Sequence, residues 1–116
     1  MHVVIFARNL MFADRLVTAA TAAGHAVSPF APDEEAPAAD LVVIDLNEAG
    51  WERAVEWARA QQPRPRILGF GPHVRGDLFE AARQAGVDRS VANSKLAEDP
   101  ARIMAEAALP GLLPPR

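Results

Sequence analysis

Asp40-Leu41-Val42-Val43-Ile44-Asp45-Leu46 is the stretch that decides the fold of this chain. It is too short for a helix of ordinary length, and its apolar residues are consecutive rather than alternating. A β-branched run of this kind reads as a strand covered on both faces, which belongs at the centre of a parallel sheet. Asp45 then falls at the carboxyl end of that strand, where open α/β sheets gather their ligands.

Working outward, Val3 to Phe6 is a second continuous apolar run and reads as the first strand. Phe12, Leu16, Ala19, Ala20 and Ala23 follow at helical spacing, with Gly24 as a stop. His25 to Phe30 is a weaker strand, closed by Pro29 and Pro32. Between it and the central run, Ala31 to Ala39 is acidic, and Pro32 and Pro37 leave room for at most a turn around Glu34. Beyond the central run, Trp51, Ala54, Val55 and Ala58 form a helical stripe ended by Pro63, and Trp57 points about 120° away from Trp51. Ile67 to Phe70 is the fourth strand, broken by Gly69, Gly71 and Pro72. Asp77 and Glu80 have capping-box spacing and open a helix through Leu78, Ala81, Ala82 and Ala85, which Gly86 closes. Arg89 to Ala92 is the fifth strand. Asp99-Pro100 reads as N-cap and first position of a last helix carrying Ile103, Met104, Ala107 and Ala108.

Strands and helices alternate throughout. The pattern predicts a flavodoxin-like three-layer α/β sandwich: a five-stranded parallel sheet in the order 2-1-3-4-5, about four helices, and a helix between the second and third strands that is short or absent. Residues 1–109 form one domain on this reading, and 110–116, with three of the ten prolines, a frayed tail.

Composition narrows the function. At 116 residues the chain can bury roughly two thirds of its unfolded surface without staples. Half of it is hydrophobic and 23% is charged, an ordinary globular balance. A net charge of −3 with scattered basic residues gives no nucleic-acid footprint. The absence of cysteine rules out disulfides and thiolate metal sites and fits a cytoplasmic protein. No run approaches the roughly 20 apolar residues of a membrane span, and the start, Met1-His2 followed by a strand, has no signal-peptide pattern.

These residues resemble the receiver domain of bacterial response regulators, from Val3 to about Ala108. The central run is similar to the segment that carries the family's phosphoacceptor aspartate, and Asp45 falls on that position. Ala85-Gly86-Val87-Asp88 is similar to the family's small-Gly-small-Asp lead-in to the last strand. The departures matter more. Where the resemblance implies an Mg²⁺-binding acidic pair after the first strand, this chain has Ala7 and Arg8, followed by Asn9. The family's lysine after the fifth strand falls at Asn93, with Lys95 two residues late, and its hydroxyl residue after the fourth strand falls at Phe70-Gly71. The pattern looks like a degenerate pseudo-receiver.

Phosphoryl transfer needs cations to offset charge on the equatorial oxygens, and one carboxylate is a poor Mg²⁺ site. Two readings of Asp45 stand: an internal ion pair with Arg8 in the space of the metal, or a cap for its own following turn. His73, in the loop after the fourth strand, is either a general base oriented by Asp45 or an ordinary loop histidine. Gly69-Phe70-Gly71 fails as a dinucleotide loop, since Val74 stands where the third glycine belongs; close packing or positive φ accounts for these glycines better. Ser94 reads as a turn or cap residue, His2 and His25 as structural, and Glu34 and Glu35 as a solvated acidic loop. No metal-ligating cluster appears.

The resulting expectation is a non-enzymatic, receiver-like signalling or interaction module without cofactor, cytoplasmic, contacting neither nucleic acid nor membrane. Its partner is a second copy or another protein. The resemblance implies pairing through the faces around Ala82 and Met104, and the missing helix exposes a second sheet edge. The competing class is a small-anion binder or enzyme using Arg8, Asn9, Asp45, His73 and Asn93, with the anion between Arg8 and Asn93. A phosphorylatable receiver with an unusual metal arrangement is the third.

Overall fold

In a computed structural model, which describes residues 1–35 and 37–109, five parallel strands form one sheet in the expected order. They are β1 (His2–Phe6), β2 (Ala26–Pro29), β3 (Leu41–Asp45), β4 (Arg66–Gly71) and β5 (Arg89–Ala92). The helices are α1 (Leu10–Ala22), α2 (Trp51–Arg59), α3 (Gly76–Ala85), α4 (Asn93–Glu98) and α5 (Pro100–Ala107).

The unbroken apolar strands have the reason anticipated for them. Odd-numbered Leu41 and Val43 face α1, α4 and α5 together with Val3, Ile5, Leu16, Leu96, Ile103 and Met104. Even-numbered Val42 and Ile44 face α2 and α3 together with Val4, Phe6, Trp51, Val55 and Ala82. With a core on each side, every position along a central strand has to be apolar. Strand β3 lies between β1 and β4, pairing Val43 with Ile5 and with Leu68, so Asp45 emerges in the middle of the sheet's carboxyl edge.

No helix joins β2 to β3 among the described residues, as the two prolines required. Aromatic rings fill part of that layer: Phe30 stands edge-on to Phe6 at 5.4 Å and to Trp57 at 5.2 Å. Trp57 is accordingly half-buried, and Trp51 packs on the sheet.

Several local expectations are corrected. Helix α3 begins at Gly76 with Arg75 at its N-cap, so Asp77 is inside the first turn, and Glu80 bonds Arg83 and Gln84 rather than closing a capping box. The last helix begins at Pro100 with Asp99 in the N-cap position, as expected, though without a side-chain cap bond, and an unexpected short helix, α4, precedes it. Pro100 lacks an N–H and keeps the preceding residue out of helical conformation; Asp99 sits at φ −150°, ψ 69° and divides α4 from α5. Ser94 lies inside α4 and caps nothing; Ala92 holds the N-cap position. Gly69 and Gly71 do not take positive φ and belong to β4 itself. A Cβ on Gly69 would lie 3.0 Å from a Leu46 methyl, so close packing is the operative reason there. Ala82 and Met104 are 0% and 1% exposed. They are core residues and cannot themselves be contact points for a partner. The tail, 110–116, lies outside the described residues.

Candidate functional site

The carboxyl edge of the sheet gathers the loops after β1, β3, β4 and β5, and with them every candidate residue except Lys95, which lies a turn into α4. Asp45 is the last residue of β3, half-buried. Its Oδ1 accepts the Asn47 backbone N–H at 2.9 Å, so it caps its own turn. Burial pushes its carboxyl above the usual carboxylate value; the Asn47 N–H opposes this, and the nearby negative charge of Glu48 adds to it.

The expected ion pair between Arg8 and Asp45 is not formed. The Arg8 side chain is 69% exposed, lies over the Phe6 ring at 5.8 Å, and reaches Glu48 Oε2 at 3.9 Å. Two features draw it away: a cation is favoured over an aromatic face, and Glu48 is nearer the water that a guanidinium keeps. Glu48 is the residue that sequence reasoning missed. It is only three positions from Asp45, and the tight turn after β3, with Glu48 N–H donating to Asp45 O at 3.2 Å, folds it back to the same edge.

Asn9 is committed to structure. It is the N-cap of α1, and its Oδ1 accepts the Phe12 N–H at 3.1 Å. His73 is exposed in the loop after β4, and among the described residues it makes no hydrogen bond to Asp45. Asn93 opens α4, half-buried, and Lys95 is exposed on the same short helix beside the groove between α3 and β5. The edge thus holds two neighbouring carboxylates, one loosely held guanidinium and an uncoordinated imidazole. Among the described residues, no group of three His, Asp or Glu side chains gathers anywhere as a metal-ligating set.

An Mg²⁺ ion, which the fold implies at this edge, is a poor fit for these residues. It demands near-octahedral oxygen ligation, through one or two carboxylates and further oxygens. After β1 the chain offers an apolar Ala7, a cationic Arg8 and an Asn9 whose oxygen is already bonded to the helix start.

No protein-family model matches the chain, and no characterised relative matches it in sequence. Solved structures do match. A CheY-like protein, TadZ, from Pseudomonas aeruginosa is 18% identical with a TM-score of 0.73, over 90% of this chain and 97% of that one. The phosphorylated cyanobacterial phytochrome response regulator RcpA is 12% identical with a TM-score of 0.75, over 98% of each chain. The receiver domain of a sensor histidine kinase from Pseudomonas aeruginosa, with magnesium coordinated in its active-site cleft, is 16% identical with a TM-score of 0.71, over 92% of this chain and 96% of that one. Among the described residues no helix is long and apolar enough to cross a membrane. Strand order, helix placement and these likenesses agree: the chain has the fold of the CheY-like receiver domains of response regulators.

Proposed function

We propose that this chain is a non-enzymatic, receiver-like signalling module whose Asp45 is not phosphorylated by the usual Mg²⁺-dependent route, and that it works by contact with a protein, a second copy included. The observation that carries the reading is Arg8. A guanidinium occupies the sequence place of the acidic pair and leans on Glu48, so a metal arriving at the capped Asp45 would have to compete with that positive charge for its second carboxylate. Without a metal or a lysine to offset its charge, an incoming phosphoryl group has little stabilisation at this edge. The anion-binding alternative is less well supported: Glu48 and Asp45 make the edge net negative, and Asn9 is occupied.

Intact-mass measurement after incubation with acetyl phosphate and Mg²⁺ tests this. The expected spectrum shows no phosphoryl increment. An increment that vanishes in Asp45→Asn would establish a phosphorylatable receiver, and Glu48 would then be the residue to examine as the second metal ligand.

The proposed contact face is that of α3 and β5, where a groove of about 620 Å³ runs beside the outer edge of the sheet. Light scattering across a concentration series, with and without Phe79→Asp in that groove, tests self-association through this face. Concentration-dependent mass that the substitution abolishes is the expected result.

A further inference from the structure

The two outer strands of the sheet treat their free edges differently. The Ala26 N–H donates to Met1 O and the Phe30 N–H to Ile5 O, so Val27 and Pro29 are the residues of β2 that point away from the sheet. Pro29 has no N–H to offer there, which blunts that edge. On β5 the Asp88 N–H donates to Ile67 O. By strand alternation Ser90 and Ala92 then face β4, while Arg89 and Val91 turn their N–H and C=O groups outward. Among the described residues no hydrogen bond reaches those outward groups. A charged side chain can guard an edge, but Arg89 is drawn back to Glu106 at 3.4 Å. All four residues of β5 line the groove against α3, so among the described residues nothing covers the edge.

We propose that two copies of the chain join antiparallel through β5, about a two-fold axis at Ser90, so that two five-stranded sheets become one continuous sheet. This rests on the self-association proposed above and states how the two copies meet. The register follows from the outward groups. Centred on Ser90, Arg89 of each copy faces Val91 of the other, and each facing pair exchanges both of its N–H···O=C bonds. Every group so used is otherwise unpaired. Centred on Arg89, like charges would stand face to face. Centred on Val91, Arg89 would face Asn93, which is already the first residue of α4. With the axis at Ser90, two small hydroxyl side chains meet at the close, non-hydrogen-bonded position. The same axis sets the two α3 helices antiparallel on one face of the sheet. Glu80 and Arg83 rim the groove and pair with each other in the single chain. Across the two-fold they run in opposite order, so each carboxylate gains a second guanidinium within reach. Phe79 and its counterpart fill the groove between the helices.

The chain has no cysteine, so single cysteines report the register. Facing residues at a non-hydrogen-bonded antiparallel position have Cα atoms about 4.5 Å apart, inside the span of a disulfide. Ser90→Cys should therefore form a covalent dimer in a glutathione redox buffer. Ala92→Cys, whose two copies would lie about 14 Å apart along the paired strands, should cross-link at least about tenfold more slowly. In the unsubstituted chain, exchange of the Val91 amide should slow about tenfold from dilute to concentrated protein, while the outward Val27 amide of β2 stays unchanged. Equal cross-linking of the two cysteines would mean chance collision and overturn the pairing. If light scattering shows association that Phe79→Asp abolishes, yet Val91 exchange is constant and Ser90→Cys stays monomeric, the copies meet without joining strands: the pairing falls and the contact face stands. If the mass is that of a monomer at every concentration, the contact face itself fails and takes the pairing with it.

Discussion

The two ends of the sheet use charge in opposite ways. At the amino edge, acids are clasps. Asp40, just before β3, accepts the His2 N–H at 2.7 Å while its own N–H donates to His2 O at 2.8 Å. Asp88, just before β5, repeats the arrangement on β4: its Oδ2 accepts the Ile67 N–H at 2.7 Å, and its N–H donates to Ile67 O at 3.0 Å. Each clasp fixes the register of one parallel pair. Around Asp88, Arg64 and Arg66 approach at 3.2 and 3.6 Å, and Arg64 and Arg59 also bond the carbonyls of Gly86 and Ala85. At the carboxyl edge the ion pair beside Asp45 is stretched to 3.9 Å with its arginine mostly in water. The closer Arg75–Asp77 pair, at 2.8 Å, is exposed on both sides and ties only the start of α3 to itself. The tightly tied end specifies the fold, and the loosely tied end is free to be a site. One detail resists this division: Arg66 Nε is buried without a hydrogen-bond partner among the described residues.

Substitutions can break the comparison. Asp88→Ala should be the most damaging, leaving the Ile67 N–H and the Arg66 guanidinium without their acceptor at a site only 17% exposed. Loss of such a shared acceptor costs about 3 kcal/mol, read as a fall in Tm of roughly 10 °C. Gly86→Ala comes next. Gly86 caps α3 at φ 109°, and an added Cβ would lie 2.7 Å from Arg59 Cδ, so left-handed strand entry and a displaced arginine add to about 2 kcal/mol. Gly24→Ala is the control: it has φ 89° but open space around it, and should cost about 1 kcal/mol. Equal losses at the two glycines, measured by urea denaturation, would show that the Arg59 latch contributes nothing.

Legibility in the sequence divides along the same line. Features set by local backbone chemistry could be read directly. Two prolines five residues apart forbade a helix, Gly24 and Gly86 stopped theirs, and continuous β-branched runs placed the strands within a residue or two. Asp45 as the cap of its own turn was also legible, because an Asx interaction spans only two residues. What could not be read depended on where long side chains go. Arg8 has many rotamers and several anions within reach, and sequence order cannot show that the turn after β3 brings Glu48 closer to it than Asp45. That Ala82 and Met104 themselves are core could not be read either, since a helical stripe looks the same whether it meets the chain's own sheet or a partner. Helix α4 could not be read because its six residues bury a single apolar side chain, Leu96, too little to show a helical period, whereas the start of α5 at Asp99-Pro100 was legible from proline's place at a helix N-terminus.

Two smaller effects sharpen the comparison at the carboxyl edge. The Asp45 carboxyl is raised above its ordinary 3.8 chiefly by burial, so its ionised form is held less well in the folded state than in the unfolded one. Stability is therefore lost as pH rises through the folded value, and the cost disappears below 3.8, where both states are protonated. Asp45→Asn keeps an oxygen to accept the Asn47 N–H and removes the charge, so Tm should rise modestly at pH 7, with the gain shrinking toward pH 4 in a thermal melt series. A fall at pH 7 would mean that the carboxylate, like Asp88, is a clasp. Smallest of all is Arg8→Ala. An exposed pair at 3.9 Å contributes about 0–0.5 kcal/mol, so Tm should scarcely move, and adding salt to the wild type should be equally silent. If Arg8→Ala instead costs as much as Gly24→Ala, the carboxyl edge is held by charge after all, and an arginine that matters to the fold is no longer free to be read as the element that excludes a metal.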